Sequence, residues 1–330
     1  MATFTAHSAI GNREDLTDVI YNISPTDTPF MSSVGKTKAS AVYHEWQTDS
    51  LAAATTANAA IEGADASSLT VTPTVRLGNR TQISQKTVQI AGTQESVDKA
   101  GRKSEKAYQL AKASAELKRD MEKILLSNQG ADAGSTSAAR KLGGLQTWLN
   151  TNASVGATGV AGGATTLGVT QRVSGTDRTF TESILKTNIK ECFTEGANPS
   201  VLMVTPTQKQ VVSTFAGIAG QRYMAPAEKP STIIGAADVY LSDFGTLSVV
   251  PNRFMTADAT GEVPSGGAGV DNGEVAFVLD PEYAAVAYLR PFQTNELAKT
   301  GDSEKTQLLV EYTLEVKNEK AHGIIADLAE

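Results

Sequence analysis

The sequence predicts an α+β fold, and three observations support this prediction. Residues 93–129 contain no proline and are rich in Ala, Lys, Glu, Gln and Leu, which predicts one continuous helix of about 50 Å. Residues 306–318 alternate apolar and polar side chains, which predicts a strand of roughly 40 Å. From Thr179 onward, short strand patterns alternate with helical ones, as in a compact mixed sheet. We therefore expect a long helix against a long strand, joined to a globular α/β unit.

The composition is that of a folded soluble protein. The chain has 330 residues, of which 40% are hydrophobic and 20% charged, enough for one large or two ordinary domains. The net charge of −7 predicts a surface that repels nucleic acid on average, although it allows a protein that encloses nucleic acid without gripping it. The start of the chain lacks a signal-peptide pattern and no stretch reaches the roughly 20 apolar residues of a membrane span, so we expect a cytoplasmic protein with no membrane partner.

Residues 1–40 predict an extended arm. Residues 24–30, SPTDTPF, carry two prolines and cannot continue a helix, whereas residues 11–23 can form a short amphipathic one. An arm with apolar residues of its own needs another surface to lie on. The alternative is a frayed terminus.

Residues 41–92 predict a long hairpin. Residues 41–47 alternate as a strand, residues 51–68 are small and weakly acidic with no Lys or Arg, and residues 71–77 and 80–90 read as returning strands. The tip would project away from the body. The alternative is a disordered surface loop.

The long helix carries a narrow stripe of small or apolar residues at spacings of three and four. Its predicted packing positions are Val97, Ala107, Ala111, Met121 and Leu125. The natural partner is the apolar face of the long strand, which includes Val310, Tyr312 and Leu314. We predict that the helix ends at Gly130.

After the helix, residues 151–177 are rich in glycine but lack GK[ST] and GxGxxG, so a loop is favoured over a phosphate-binding site. Residues 179–196 predict a helix, residues 201–205 a buried strand, and Pro206 the start of a second helix. Further strands are predicted by ADVYLS, TLSVV, EVAFVLD and AAVAYLR.

Residues with catalytic chemistry are sparse. His7, His44 and His322 lie in separate segments without metal-ligand spacing, and Cys192, the single cysteine, is expected to be buried and inert. No GxSxG motif is present. We therefore predict a protein that is not an enzyme, with no cofactor and no metal.

The order of arm, long hairpin, long helix and globule resembles the major capsid proteins of tailed bacteriophages with the Hong Kong 97-type fold. Several strings resemble the SU10-like subfamily: SPTDTPFMSSVG, HEWQTDSL, RLGNRTQISQKTVQIAGT, ELKRDMEKILLSN, VVPNRFM and the tail from LRPFQTNELAKTGDSEKTQ to its end. The resemblance implies an N-terminal arm (1–40), an E-loop hairpin (41–92), a P-domain spine helix (93–141), an A-domain (142–290) and a return to the P-domain β-layer (291–330).

The resemblance further implies an icosahedral shell of hexamers and pentamers around double-stranded DNA, located in the virion and assembled in the host cytoplasm. The chain itself would be the main partner, with a portal, a separate scaffold and possible cement proteins. Inter-subunit contacts of the arm and E-loop would include Phe30, Trp46, Leu51, Ile61, Leu69 and Val71. No lysine occurs between Lys38 and Lys86, so the Lys–Asn cross-link of some members is not expected.

Two other functions stay open at this point. One is an encapsulin-type nanocompartment shell, which shares the fold but holds protein cargo. The other is a tail or adhesion component.

Overall fold

The computed structural model describes residues 24, 26–63, 65, 71–163, 170–215, 238–255 and 274–329. The predicted helix at 11–23, Leu69 and part of the glycine-rich loop lie outside the described residues. In chain order the helices are α1 (Pro29–Ser33), α2 (Gly92–Ser96), α3 (Glu105–Leu126), α4 (Leu145–Trp148), α5 (Glu182–Thr194) and α6 (Pro206–Val212). The strands are β1 (Gly35–Lys38), β2 (Tyr43–Thr48), β3 (Val75–Arg80), β4 (Gln82–Ala91), β5 (Ala153–Ser154), β6 (Val201–Val204), β7 (Val239–Ser242), β8 (Gly245–Pro251), β9 (Glu274–Leu279), β10 (Ala284–Glu296), β11 (Ser303–Val316) and β12 (Gly323–Leu328).

A four-stranded sheet carries the long strand. Its order is β1-β10-β11-β4, and β11 pairs antiparallel with both β10 and β4. Helix α3 packs against β4 and β11. The long strand and the long helix are therefore neighbours, although almost 180 residues separate them.

The long helix is interrupted, so the prediction of one continuous helix over 93–129 is wrong. Gly101 adopts a left-handed φ of 75°, and the side chain of Ser104 caps α3 by accepting a hydrogen bond from the backbone N–H of Ala107. The Glu95 carboxylate at the end of α2 also accepts hydrogen bonds from the first turn of α3. Helix α3 has 22 residues, which gives a length of roughly 33 Å. It ends before Ser127, whose backbone is extended, and not at Gly130.

The buried face of α3 is also offset from the predicted stripe. Met121 and Leu125 are fully buried, but Ala107 and Ala111 are exposed, and Val97 is 55% exposed outside the helix. Ala113 and Leu117, which the prediction omitted, are buried instead. The predicted stripe was phased from Val97, and the break before Glu105 removes that starting point.

Strand β11 is buried on both faces over its second half. Val310, Tyr312 and Leu314 are fully buried, and their apolar face belongs to the main core with α3. The opposite face, expected to meet solvent, is buried too at Glu311, Thr313 and Glu315. Residues at the base of the hairpin lie close to that face.

The second sheet has six strands in the order β5-β12-β9-β6-β8-β7. Helices α5 and α6 contribute to its own core, which includes Leu185, Ile189 and Val212. Strand β12 lies between β5 and β9, so the tail of the chain does not all return to the β-layer as the boundary at 291–330 implied. Strand β10 belongs to the four-stranded sheet from Ala284, ahead of the predicted boundary at residue 290.

Candidate assembly surfaces

The hairpin is built from β2 and β3, which form a two-stranded sheet of their own. Their antiparallel register runs from Tyr43 opposite Arg80 to Thr48 opposite Val75. Strand β4 pairs with β11 instead, so the hairpin ends at Arg80 and the predicted limit of residue 92 is too late. We call the end at Tyr43 and Arg80 the root, and residues 49–74 the tip.

Every described residue of the tip is exposed. Leu51 is 99% exposed, Ile61 82% and Val71 84%. Three large apolar side chains on one projecting segment meet water in the isolated subunit, which is typical of a surface that another protein covers. These are three of the predicted inter-subunit residues, while Leu69 lies outside the described part of the chain.

The root is held by the fully buried Asn79. Its amide nitrogen donates to the carbonyl oxygens of Gly143 at 3.0 Å and Leu314 at 2.9 Å. Its side-chain oxygen accepts from the N–H of Gly143 at 2.8 Å. One side chain therefore joins β3 to the segment before α4 and to β11.

A buried carboxylate holds the residue after β3. Glu311, 4% exposed, lies between the guanidinium groups of Arg140 and Arg290, with Arg290 Nε at 2.8 Å. Thr81 Oγ1 donates to the same carboxylate at 2.9 Å, and Arg140 also donates to the Thr81 carbonyl oxygen. A carboxylate with two cations and a hydroxyl donor is well compensated for its burial.

The other strand of the root is fastened by His44 and Trp46. His44 Nε2 lies 3.2 Å from a carboxylate oxygen of Glu315, which also accepts from Thr37 Oγ1. The Trp46 indole packs 5.4 Å from that of Trp148, centroid to centroid. The structure gives Trp46 a contact within its own subunit, and a contact with a neighbouring subunit stays a prediction.

The structure corrects the predicted role of Phe30 in the arm. Its side chain is 0% exposed and belongs to the main core of its own subunit, so its predicted role as an inter-subunit contact is wrong. The backbone N–H groups of Phe30 and Met31 donate to the carboxylate of Glu122 on α3. A proline-containing segment gives no periodicity from which an inward-facing residue could be chosen.

Sequence reasoning missed Asn79, Glu122, Arg140 and Glu311. The burial of Glu122 could have been predicted, because its position on the helix lies beside Leu125 and Leu126 in the buried stripe of α3. The other three are polar residues in strands or loops, and their partners are distant in sequence, so no local pattern indicates them.

The described residues hold no group of three or more His, Cys, Asp or Glu side chains suited to a metal ion. Burial raises the pKa of the Cys192 thiol to about 12, so the thiolate that reacts as a nucleophile is scarce. Burial lowers the pKa of His322 to about 4. None of the helices in the described ranges is long and apolar enough to cross a membrane.

A family model described as SU10 major capsid protein matches residues 2–329. The chain belongs to the SU10 major capsid protein family. The major capsid protein of Escherichia phage Phieco32 is 29% identical over 357 residues, covering 98% of this chain and 96% of that protein.

Solved structures share the fold of this capsid protein. The cyanophage A-1(L) capsid asymmetric unit has a TM-score of 0.66 at 11% identity, covering 99% of both chains. The holo-SrpI encapsulin complex of Synechococcus elongatus PCC 7942 has a TM-score of 0.54 at 10% identity, covering 96% of this chain and 92% of that chain. The fold is the α+β Hong Kong 97 type, as the sequence predicted.

Family membership and fold give this capsid protein a structural role in a phage particle, in agreement with the predicted function. Which residues contact neighbouring subunits stays a prediction, and the exposed tip is the part of the molecule on which it depends.

Proposed function

We propose that copies of this chain form the hexamers and pentamers of an icosahedral phage shell, in which each hairpin tip lies on a neighbouring subunit. The observation that carries the proposal is the contrast between tip and root. Leu51, Ile61 and Val71 are almost fully exposed. The root they extend from is held by buried polar contacts to β11.

A fixed root and an exposed apolar tip serve assembly together. Burying a large apolar side chain contributes about 1.5–3 kcal/mol, so three such residues can stabilise a contact appreciably. The root lowers the cost of that contact, because a segment already held in direction loses less conformational freedom on docking.

The shell would enclose double-stranded DNA without sequence-specific binding. The net charge of −7 fits a wall that does not hold DNA tightly. A portal, a separate scaffold and cement proteins complete the proposed set of partners. Assembly would take place in the host cytoplasm.

Deletion of residues 52–68 tests the role of the tip. We expect a soluble subunit with an unchanged circular dichroism spectrum, because the deleted side chains that the structure describes are exposed, but no closed particles by electron microscopy. A matched control replaces the same residues with a Gly/Ser segment of equal length, which separates the loss of apolar contacts from the loss of reach. Leu51 and Val71 flank the deletion, so a second variant combines it with Leu51→Ser and Val71→Ser. Normal shells from both variants would show that the tip is not an assembly contact.

The fold shared with an encapsulin supports a second candidate, a shell that holds protein cargo. Particle contents distinguish the two functions. Particles purified from cells in which the shell forms should release nuclease-sensitive DNA in the first case, and a defined set of cargo proteins without DNA in the second.

A further inference from the structure

Glu122 on α3 is a buried carboxylate at which three parts of the molecule meet. Its side chain is 0% exposed. One oxygen accepts from the Phe30 N–H at 2.7 Å and from Asn252 Nδ2 at 2.8 Å, and the other accepts from the Met31 N–H at 2.9 Å. Phe30 and Met31 open α1, whereas Asn252 follows β8 in the six-stranded unit.

All three partners are donors, so the site suits a carboxylate. A carboxylate is an acceptor on both oxygens, while an amide offers one acceptor and one NH₂ group. A glutamine at this position would turn its NH₂ toward at least one N–H donor in either orientation. Burial raises the pKa of Glu122, and the three hydrogen bonds oppose that effect by favouring the charged form.

From this geometry we propose that Glu122 is a positioning residue for assembly, which fixes where the chain enters α1 from the predicted N-terminal arm. The backbone N–H groups that open α1 have no intrahelical partner, and Glu122 accepts from two of them across 92 and 91 residues of sequence. The Phe30 side chain then enters the core beside α3, and β1 continues along the edge of the four-stranded sheet. The position of α1 on the subunit is thereby fixed from both sides.

We call the contacts of Glu122 with Phe30, Met31 and Asn252 the joint. Asn252 connects it to the six-stranded unit. Its side-chain nitrogen reaches Glu122, and its side-chain oxygen accepts from the Phe254 N–H at 2.9 Å. The position of α1 thus depends on the segment after β8 as well as on α3. A change in either unit would shift the point at which the chain enters α1.

The inference deepens the proposed function, and its first test does not need a shell. Chymotrypsin can cut after Phe30 only when that side chain leaves the core. In Glu122→Gln we expect this cut, identified by the mass of the N-terminal fragment, to be about tenfold faster than in the native chain, since one hydrogen bond of the joint is lost and two donors face each other.

Two controls separate this joint from general instability. In Glu274→Gln another buried carboxylate is neutralised, but one oxygen accepts both of its bonds, from Thr205 and Gln208, so the amide oxygen can keep both. Val278→Ala removes core packing in the six-stranded sheet without touching α1. Neither control should accelerate the cut after Phe30 beyond its loss of global stability.

Asn252→Ala is the second variant, and it removes one of the three donors. It should also accelerate the cut after Phe30. In the double variant with Glu122→Gln, the fold-increase in the cleavage rate should be smaller than the product of the two single fold-increases. Equal cutting of Glu122→Gln and Val278→Ala at matched stability would overturn the inference. If Glu122→Gln does not fold, an Asn252→Ala chain cut no faster than Val278→Ala overturns it.

Electron microscopy completes the test of the role in assembly. Glu122→Gln should give malformed or no shells where Glu274→Gln gives normal ones. Normal shells from a variant in which the cut after Phe30 is accelerated would overturn the assembly role. Failure of the native chain to form shells under every condition would instead contradict the proposed function, and the protease result would still stand by itself.

Discussion

Replacing Asn79 with alanine tests whether the root holds the hairpin as described. The side chain supplies three buried contacts to other segments, to the carbonyl oxygens of Gly143 and Leu314 and to the N–H of Gly143. Alanine leaves these backbone groups without that partner. An unpaired buried polar group costs about 1–3 kcal/mol, and because water can enter the vacated space we expect a total loss of about 3 kcal/mol rather than the full sum.

Tryptophan fluorescence reports on the root directly. The chain contains two tryptophans, and Trp46 and Trp148 are packed together at the root. Guanidinium unfolding of the unassembled subunit, followed by tryptophan emission, should show a lower midpoint in Asn79→Ala. Far-UV circular dichroism reports the rest of the chain in parallel.

The Asn79→Asp variant sharpens the test. It keeps the size of the side chain but replaces the two N–H donors by an acceptor that faces two carbonyl oxygens, so it should lose at least as much stability as alanine. Gln47→Ala, at an exposed position of β2, is the control and should change the free energy of unfolding by less than about 0.5 kcal/mol. A loss below about 1 kcal/mol in Asn79→Ala would refute the account of the root.

Three further predictions concern buried positions. Burial lowers the pKa of His322 from 6.5 to about 4 in the native state, so the unfolded chain takes up the proton first as the pH falls. The contribution of His322 to the free energy of unfolding should therefore be fully present above pH 6.5 and fall by about 3 kcal/mol on going to pH 4. His322→Asn should flatten this dependence, and an unchanged slope would contradict it. Cys192 in the native subunit should resist iodoacetamide at pH 8 and react in guanidinium, since its pKa is raised to about 12; rapid native labelling would contradict its burial. Gly144→Ala should lower the melting temperature, with a loss of about 1–3 kcal/mol, because the new Cβ would lie 2.2 Å from the Ser127 carbonyl oxygen, whereas Gly35→Ala, with its nearest contact at 3.7 Å, should be tolerated.

The sequence predicted the long strand, the hairpin and the helices around Pro206 and Cys192, because each has a local period or a cap. It failed where a capping residue competes with helix propensity, as at Ser104, since a stretch without proline looks continuous. It also failed for Phe30, whose burial is decided by a core assembled from residues far along the chain.

The root was beyond sequence reasoning for the same reason. Asn79 and Glu311 acquire their roles only when β3, β11 and the segment before α4 come together. A polar residue in a strand is read as solvent-facing until its distant partners are known. The exposed tip, by contrast, was readable because its low-complexity composition cannot form a core alone.

The place of β12 constrains how this chain can acquire its structure. The strand lies between β5 and β9, yet it is made only after β10 and β11, which belong to the other sheet. The six-stranded unit therefore cannot be completed until a segment distant in sequence is in place. This pairing raises the contact order and favours slow folding with exposed strand edges. A fragment covering residues 142–283 would have β5 and β9 without the strand that joins them, so the unit should be expressed with β12 fused back by a linker rather than cut out along the chain.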